Sequence, residues 1–223
     1  MDEARTYLRR RGRLTRGQAR AWNQYHEQMV AQAPGDQPDW SRWFGRSAPL
    51  GVEIGFGMGH ALVAWAQARP QWNLVGVDVY QPGVGSLLLG LEAAELDNVR
   101  VLEMDARLAL SACFESASID EARVFFPDPW PKKRHHKRRL FQPPFVDDLA
   151  AVLKPGAQLL IATDWEDYAH WIRQVLRGSD DFVDLYPDQA SAPRPETRPE
   201  TRFEARGVRL GHTVCDLAYV RKR

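Results

Sequence analysis

Val52-Glu53-Ile54-Gly55-Phe56-Gly57-Met58-Gly59 joins an apolar run to a turn with glycine at every second position. The run from Leu50 to Ile54 reads as a buried strand. Ala61 to Ala68, with apolar residues at helical spacing, reads as the helix that follows. Without Cβ atoms, Gly55, Gly57 and Gly59 let backbone approach a ligand closely and take positive φ where the turn requires it. The helix start offers free N–H groups and a partial positive charge. The next apolar run, Leu74 to Val79, carries Asp78 at its end, where nucleotide-binding α/β folds hold ribose hydroxyls. Strand, glycine turn, helix, strand and acid together describe a nucleoside-cofactor site.

The glycine spacing narrows the cofactor. A dinucleotide fold spaces its glycines G-x-G-x-x-G so that pyrophosphate meets the helix N-terminus. Here the spacing is G-x-G-x-G, and Glu53 lies just before it. A carboxylate there repels pyrophosphate but can face an ammonium. That favours S-adenosylmethionine over NAD.

Working outward, the alternation continues. A helix is expected after Pro82-Gly83-Val84-Gly85, a strand over Val99 to Met104 ending at Asp105, and a strand over Ile119 to Phe126 that runs into Pro127-Asp128-Pro129-Trp130. Phe145 to Leu153 reads as helix, broken by Pro155-Gly156. Gln158 to Thr163 reads as a strand ending at Asp164, and Tyr168 to Leu176 as helix. Val208–Leu210 and Val214–Val220 read as two final strands forming a hairpin. Repeated βα units imply an α/β fold with a mostly parallel sheet covered on both faces. Glu53, Asp78, Asp105, Asp128 and Asp164 all fall at or just beyond strand carboxyl ends, the edge where open α/β sheets bind ligands. A single such Asp is equally well a helix cap.

The 223 residues, 44% hydrophobic and 26% charged, suit one domain with a substantial core. Net charge is only +1, but its distribution is uneven. Arg5 to Arg20 holds seven arginines and no acid, and Lys132 to Arg139 holds six Lys or Arg with two His. Residues 1–46 precede the first strand and read as a basic arm, either solvated or phosphate-seeking, anchored by Trp40, Trp43 and Phe44. Residues 47–223 are expected to form the domain that carries the strand–helix alternation. Cys113 and Cys215 make no C-x-x-C pair, and no apolar run approaches the length of a membrane span. A cytoplasmic protein with no membrane contact is expected. The residues set no oligomeric state, and a monomer is the default expectation.

Phe125-Phe126-Pro127-Asp128-Pro129-Trp130 is a loop stiffened by two prolines. It is either a rigid turn with Trp130 in the core or a slot for a flat base. In the slot, Trp130 or Phe126 supplies a stacking face and Asp128 accepts from a base's N–H edge. Guanine N1–H and N2–H₂ suit a carboxylate, with adenine or cytosine amino groups as alternatives. The basic run leaves this loop directly and could hold a polyanion. Its adjacent His135 and His136 lack further ligands at metal spacing, so no metal is expected. Pro195 to Arg202 is a short duplication, Pro-Glu-Thr-Arg twice, and only the second copy continues into Phe203-Glu204.

Taken together, these segments resemble the bacterial tRNA (guanine-N7)-methyltransferases, which modify guanine 46 of the tRNA variable loop. The resemblance covers nearly the whole chain. It rests on Arg11-Gly12-Arg13-Leu14-Thr15, the Glu53–Gly59 loop, Gln81 to Gly85, Phe125 to Trp130, Arg134 to Arg139, Ala162-Thr163-Asp164-Trp165 and Thr201-Arg202-Phe203-Glu204. It implies a Rossmann-like class I S-adenosylmethionine-dependent methyltransferase fold with a seven-stranded sheet ending in an antiparallel hairpin. By resemblance, Glu53, Gly55, Gly57, Gly59, Asp78, Asp105 and Asp128 form the cofactor side, with Asp128 catalytic. Lys132, Asp164, Thr201, Arg202, Phe203 and Glu204 contact the substrate. Arg134, His135, His136, Lys137, Arg138 and Arg139 contact RNA. Asp78 stands where many relatives have Glu, which shortens the reach but keeps the charge. Two rival classes stay open: a methyltransferase acting on another RNA atom or on a protein, and a non-catalytic RNA-binding protein with a degenerate cofactor fold.

Overall fold

A computed structural model describes residues 12–32, 38–200, 204 and 213–223. The first βα unit forms as its hydropathy dictates. Strand β2 (Leu50–Ile54) and strand β3 (Asn73–Val77) are buried along their whole length, with helix α3 (His60–Ala68) between them. Ahead of them come α1 (Arg16–Met29), β1 (Val30–Ala31) and α2 (Trp40–Phe44). After them come α4 (Gln81–Ala93), β4 (Val99–Leu102), α5 (Ala106–Cys113) and β5 (Ile119–Phe125). A 3₁₀ helix (Lys133–Arg138), α6 (Pro143–Val152), β6 (Leu153–Thr163) and α7 (Glu166–Arg177) follow, and β7 (Phe182–Asp184) and β8 (Cys215–Arg221) close the sheet.

The sheet order is β1-β4-β3-β2-β5-β6-β8-β7. Strands β1 to β6 pair in parallel, while β8 pairs antiparallel with both β6 and β7. Strand order therefore reverses between β2 and β5, and the carboxyl ends at such a reversal are where open α/β sheets bind ligands. The glycine loop leaves β2 and the Asp128 loop leaves β5, so the two lie side by side at that switch.

Four details differ from the sequence expectation. The sheet has eight described strands rather than seven, because β1, within the basic arm, adds to the edge at β4. Helix α4 begins at Gln81 and includes Pro82 to Gly85, with Pro in the first turn, where its missing N–H is no loss. Strand β6 runs through Pro155-Gly156 instead of starting after them. The pairing with β5 shifts register between Ile119 and Glu121, and Gly156 takes φ +87°. A bulge of this kind tolerates a proline that cannot donate. The hairpin partner of β8 is Phe182–Asp184. The expected strand at Val208–Leu210 lies outside the described residues, as do Arg5, Arg9, Arg10 and Arg11 of the arm.

The described part of the arm is built onto the domain. Thr15 and Gln18 form a reciprocal capping box at the start of α1. Ala21 is fully buried, and Arg20 and Tyr25 both bond Glu92 on α4. Trp40 stacks on Phe114 at 5.1 Å, and Trp43 Nε1 donates to the Gln28 carbonyl at 2.8 Å.

Candidate active site

Gly55, Gly57 and Gly59 take φ of +74°, +56° and +82°, the left-handed region that penalises a side chain. A Cβ at Gly55 or Gly57 would meet nothing within 4 Å, so the backbone there borders open space. The loop's back is closed instead: a Cβ on Gly83 would lie 2.0 Å from the Gly57 carbonyl oxygen. Asp78 ties the loop to α4. Its Oδ2 accepts from the Gly57 N–H at 2.8 Å and its Oδ1 from the Tyr80 N–H at 3.0 Å. These two bonds orient the Asp78 carboxylate against the glycine loop.

Glu53 lies in the middle of the sheet, 2% exposed, and its Oε2 has no hydrogen-bond partner. Burial pushes its carboxyl up to about 8, opposed by the Arg123 guanidinium and reinforced by Asp78. Arg123 is its register neighbour on β5 and is itself held elsewhere. It lies 3.6 Å over the Trp65 ring and donates to Glu121 Oε1 at 2.7 Å and Thr197 Oγ1 at 2.8 Å. A buried carboxyl with an unsatisfied oxygen costs free energy unless donors arrive. An ammonium supplies three. The unsatisfied oxygen and the open faces of Gly55 and Gly57 together fit S-adenosylmethionine.

Asp105 caps α5, its Oδ1 accepting from the Arg107 and Leu108 N–H groups at 3.0 and 3.4 Å. Asp128 is half-buried between Phe126 and Trp130, which both take positive φ, +54° and +45°. Non-glycine residues in that region cost about 1–3 kcal/mol each and persist only when the surroundings over-determine them. Here the Phe126 N–H donates to the Ala162 carbonyl at 2.7 Å, and Arg139 Nε donates to the Pro129 carbonyl at 2.9 Å. Asp164 is half-buried just past β6, and Thr163 Oγ1 accepts from the Trp165 N–H at 3.3 Å.

The stacking faces expected beside Asp128 are covered. Trp130 is 6% exposed, with Arg138 over its ring at 5.1 Å and His135 edge-on at 5.7 Å. Phe126 has the Arg198 guanidinium 5.4 Å from its ring centre. Trp130 is therefore a core anchor of the loop, not an open shelf.

The basic run divides. Lys132, Lys133, Arg134 and Lys137 are exposed, and His135, His136 and Arg138 are half-buried. Burial and the cations Arg134, Arg138 and Lys132 depress the His135 pKa. Arg139 is a correction. It was expected on the RNA face, yet it is 1% exposed, bonded to Asp167 and to the Pro129 carbonyl, with its guanidinium 5.0 Å from the Tyr168 ring centre. Its charge is spent holding the Asp128 loop onto α7.

Thr201, Arg202 and Phe203 lie outside the described residues. Glu204 is 4% exposed and accepts from both Arg194 and Arg198. The first copy of the duplication also reaches the strand ends, Thr197 on Arg123 and Arg198 over Phe126. Arg123, Thr197 and Arg198 were missed from sequence. Arg123 alone left a signal, as a charge inside an apolar strand. Among the described residues no cluster suited to a metal ion is found, and no helix is long and apolar enough to cross a membrane.

Residues 47–217 match the family model described as putative methyltransferase. The chain is 48% identical to a tRNA (guanine-N(7)-)-methyltransferase of Burkholderia thailandensis, over 98% of this chain and 82% of that protein. It is 47% identical to the protein of the same name from Halorhodospira halophila, over 97% and 94%. In fold it is similar to the 16S rRNA methyltransferase KamB (TM-score 0.58, 17% identity, 87% of this chain and 99% of that one). It is also similar to the 16S rRNA (adenine(1408)-N(1))-methyltransferase from Catenulisporales acidiphilia (TM-score 0.56, 19% identity, 86% and 96%). Nearly full-length identity of this order, on a sheet with a glycine loop and strand-end acids at its switch point, places the chain in the tRNA (guanine-N7)-methyltransferase family.

Proposed function

We propose that this chain transfers a methyl group from S-adenosylmethionine to N7 of guanine 46 in the variable loop of tRNA, in the cytoplasm. The observation that carries the reading is the buried Glu53 carboxyl with an unpartnered oxygen, one strand away from the Asp128 loop. When bound, S-adenosylmethionine supplies an electrophilic methyl on a sulfonium, which the in-plane N7 lone pair takes while the carbon–sulfur electrons stay on sulfur.

N7 of guanine carries no proton, so the chain need not remove one. Its work is placement and exclusion of water. Glu53 holds the cofactor's ammonium, Asp78 its ribose hydroxyls, and Asp105 completes the acidic rim. Asp128 holds the N1–H and N2–H₂ edge of guanine and offsets the positive charge that appears on the ring. Lys132, at the start of the 3₁₀ helix, and Asp164, just past β6, flank the base. Lys133, Arg134 and Lys137 engage phosphates, which offsets part of the cost of unstacking the target from the folded tRNA.

The test is methyl transfer from labelled cofactor to unmodified tRNA, followed by digestion to nucleosides. The reading expects 7-methylguanosine, with reductive chain cleavage mapping it to position 46. Label on an exocyclic amine, or on protein, would favour the rival methyltransferase reading.

A further inference from the structure

Arg123 lies in the middle of the sheet, 4% exposed, as the register partner of Glu53. Side chains alternate along a strand, so Gly51 and Glu53 of β2 share one face. That face is the one α3 covers, since a Cβ on Gly51 would lie 2.4 Å from the Trp65 ring. The Arg123 guanidinium lies 3.6 Å over the same ring, which puts it on the Glu53 face. On the opposite flank Glu53 pairs with Gly76, where a Cβ would lie 2.7 Å from Leu62 and 2.8 Å from Phe56. Glu53 therefore has a guanidinium on one side and close-packed apolar groups on the other.

Arg123 is fixed at three points: over Trp65, on Glu121 Oε1 at 2.7 Å and on Thr197 Oγ1 at 2.8 Å. None of these contacts goes to Glu53, whose Oε2 has no hydrogen-bond partner. The cation thus favours a carboxylate beside it without filling the acceptor position that an ammonium would take. Of the charged groups bearing on Glu53, Arg123 favours ionisation, while Asp78, just past β3, opposes it together with burial. From α3, Trp65 and Leu62 reach this face and carry no charge. Around Arg123 itself, Glu121 supports the charge and Arg69 opposes it. A guanidinium keeps its charge throughout the working pH range.

We propose that Arg123 is a positioning residue for S-adenosylmethionine: held on Trp65 beside Glu53, its fixed cation keeps Glu53 able to become the carboxylate that meets the cofactor's ammonium. The proposal deepens the methyltransferase reading above and rests on Glu53 facing that ammonium.

The test compares Arg123→Met with the wild type, because Met keeps an apolar contact with Trp65 and removes only the charge. Carbon-13 spectra of the ligand-free enzymes, labelled at glutamate carboxyls, follow the Glu53 signal from about pH 6 to 10, its assignment made by its loss in Glu53→Gln. The titration midpoint is expected to move up by about one pH unit, the scale on which a nearby opposite charge acts. Calorimetric affinity for S-adenosylmethionine at pH 7 is expected to fall about tenfold, since each unit of upward shift leaves about tenfold less carboxylate below the midpoint. Affinity for 5′-methylthioadenosine, which keeps the nucleoside and lacks the amino-acid moiety, is expected to be unchanged. Where Arg123→Met fails to fold, Arg123→Met/Glu121→Gln also removes the carboxylate left unpaired and is read in the same way. An unmoved Glu53 midpoint, or equal weakening of both ligands, would overturn the proposal. A wild type that binds no S-adenosylmethionine would instead overturn the functional reading, and the carboxyl titration would still judge the hold of Arg123 on Glu53.

Discussion

In the free enzyme the Glu53 carboxyl is pushed up to about 8 by burial, so at pH 7 only about one molecule in eleven carries it ionised. A cofactor ammonium binds the ionised form. Binding at pH 7 therefore expels nearly one proton, and the apparent Kd is about elevenfold weaker than its limit at high pH. Between pH 5.5 and 7.0 the ligand's amino group stays charged, and affinity is expected to rise about thirtyfold. Titration calorimetry in buffers of different ionisation enthalpy reads both the affinity and the proton count. Glu53→Gln should flatten the curve. It loses charge-assisted bonds of about 1.5–3 kcal/mol, so it falls behind wild type at pH 8 and approaches it near pH 5.5. The stability sign is opposite. A raised carboxyl pKa means the native state binds more protons than the unfolded chain, so stability is fullest in acid and is lost as pH climbs toward 8. Glu53→Gln is thus expected to raise Tm at pH 8. A wild-type Kd independent of pH from 5.5 to 7.0, with no proton released, would refute the reasoning.

Asp78→Ala is expected to weaken cofactor binding at least tenfold and to lower Tm, because it also releases the Gly57 and Tyr80 N–H groups; calorimetry and a melting curve check both, and tRNA affinity should not move. Replacing the exposed Lys133, Arg134 and Lys137 with Ala should reduce the slope of log affinity against log salt by about two to three, read by filter binding. Arg139→Ala should behave differently, lowering Tm with little change in that slope, because its guanidinium is buried against the Pro129 carbonyl and Asp167. Asp128→Asn keeps an acceptor but turns an amide N–H₂ toward guanine's donors. Its single-turnover rate should fall on the order of 10²-fold while cofactor affinity changes less than threefold.

The glycine loop, the βα alternation and the acids at strand ends were legible because each follows from local pattern. Hydropathy marks β2 and β3, and glycine takes the positive φ values after Ile54 without the penalty a side chain would bring. Asp105 shows the limit of that logic: an acid at a strand end is also an acid at a helix start, and here it caps α5. Arg139 and Arg198 were not legible. Arginine in a basic or polar stretch reads as surface, and only distant partners, Asp167 on α7 and Asp216 on β8, make their burial tolerable. For Trp130 the sequence left two readings open, core anchor or base shelf, and only the covering Arg138 and His135 decide for the core. Strand β1 is two residues long and exists through its pairing with β4, a contact no local pattern announces.

The claim that the chain places guanine N7, rather than any proton-bearing group, against the methyl donor has a direct test. Two tRNA transcripts, identical except for guanosine or 7-deazaguanosine at position 46, are compared for methyl incorporation under single-turnover conditions. The account predicts one methyl per guanosine-46 transcript, recovered as 7-methylguanosine, and none on the 7-deaza transcript despite equal tRNA affinity. Equal methylation of the two would contradict it.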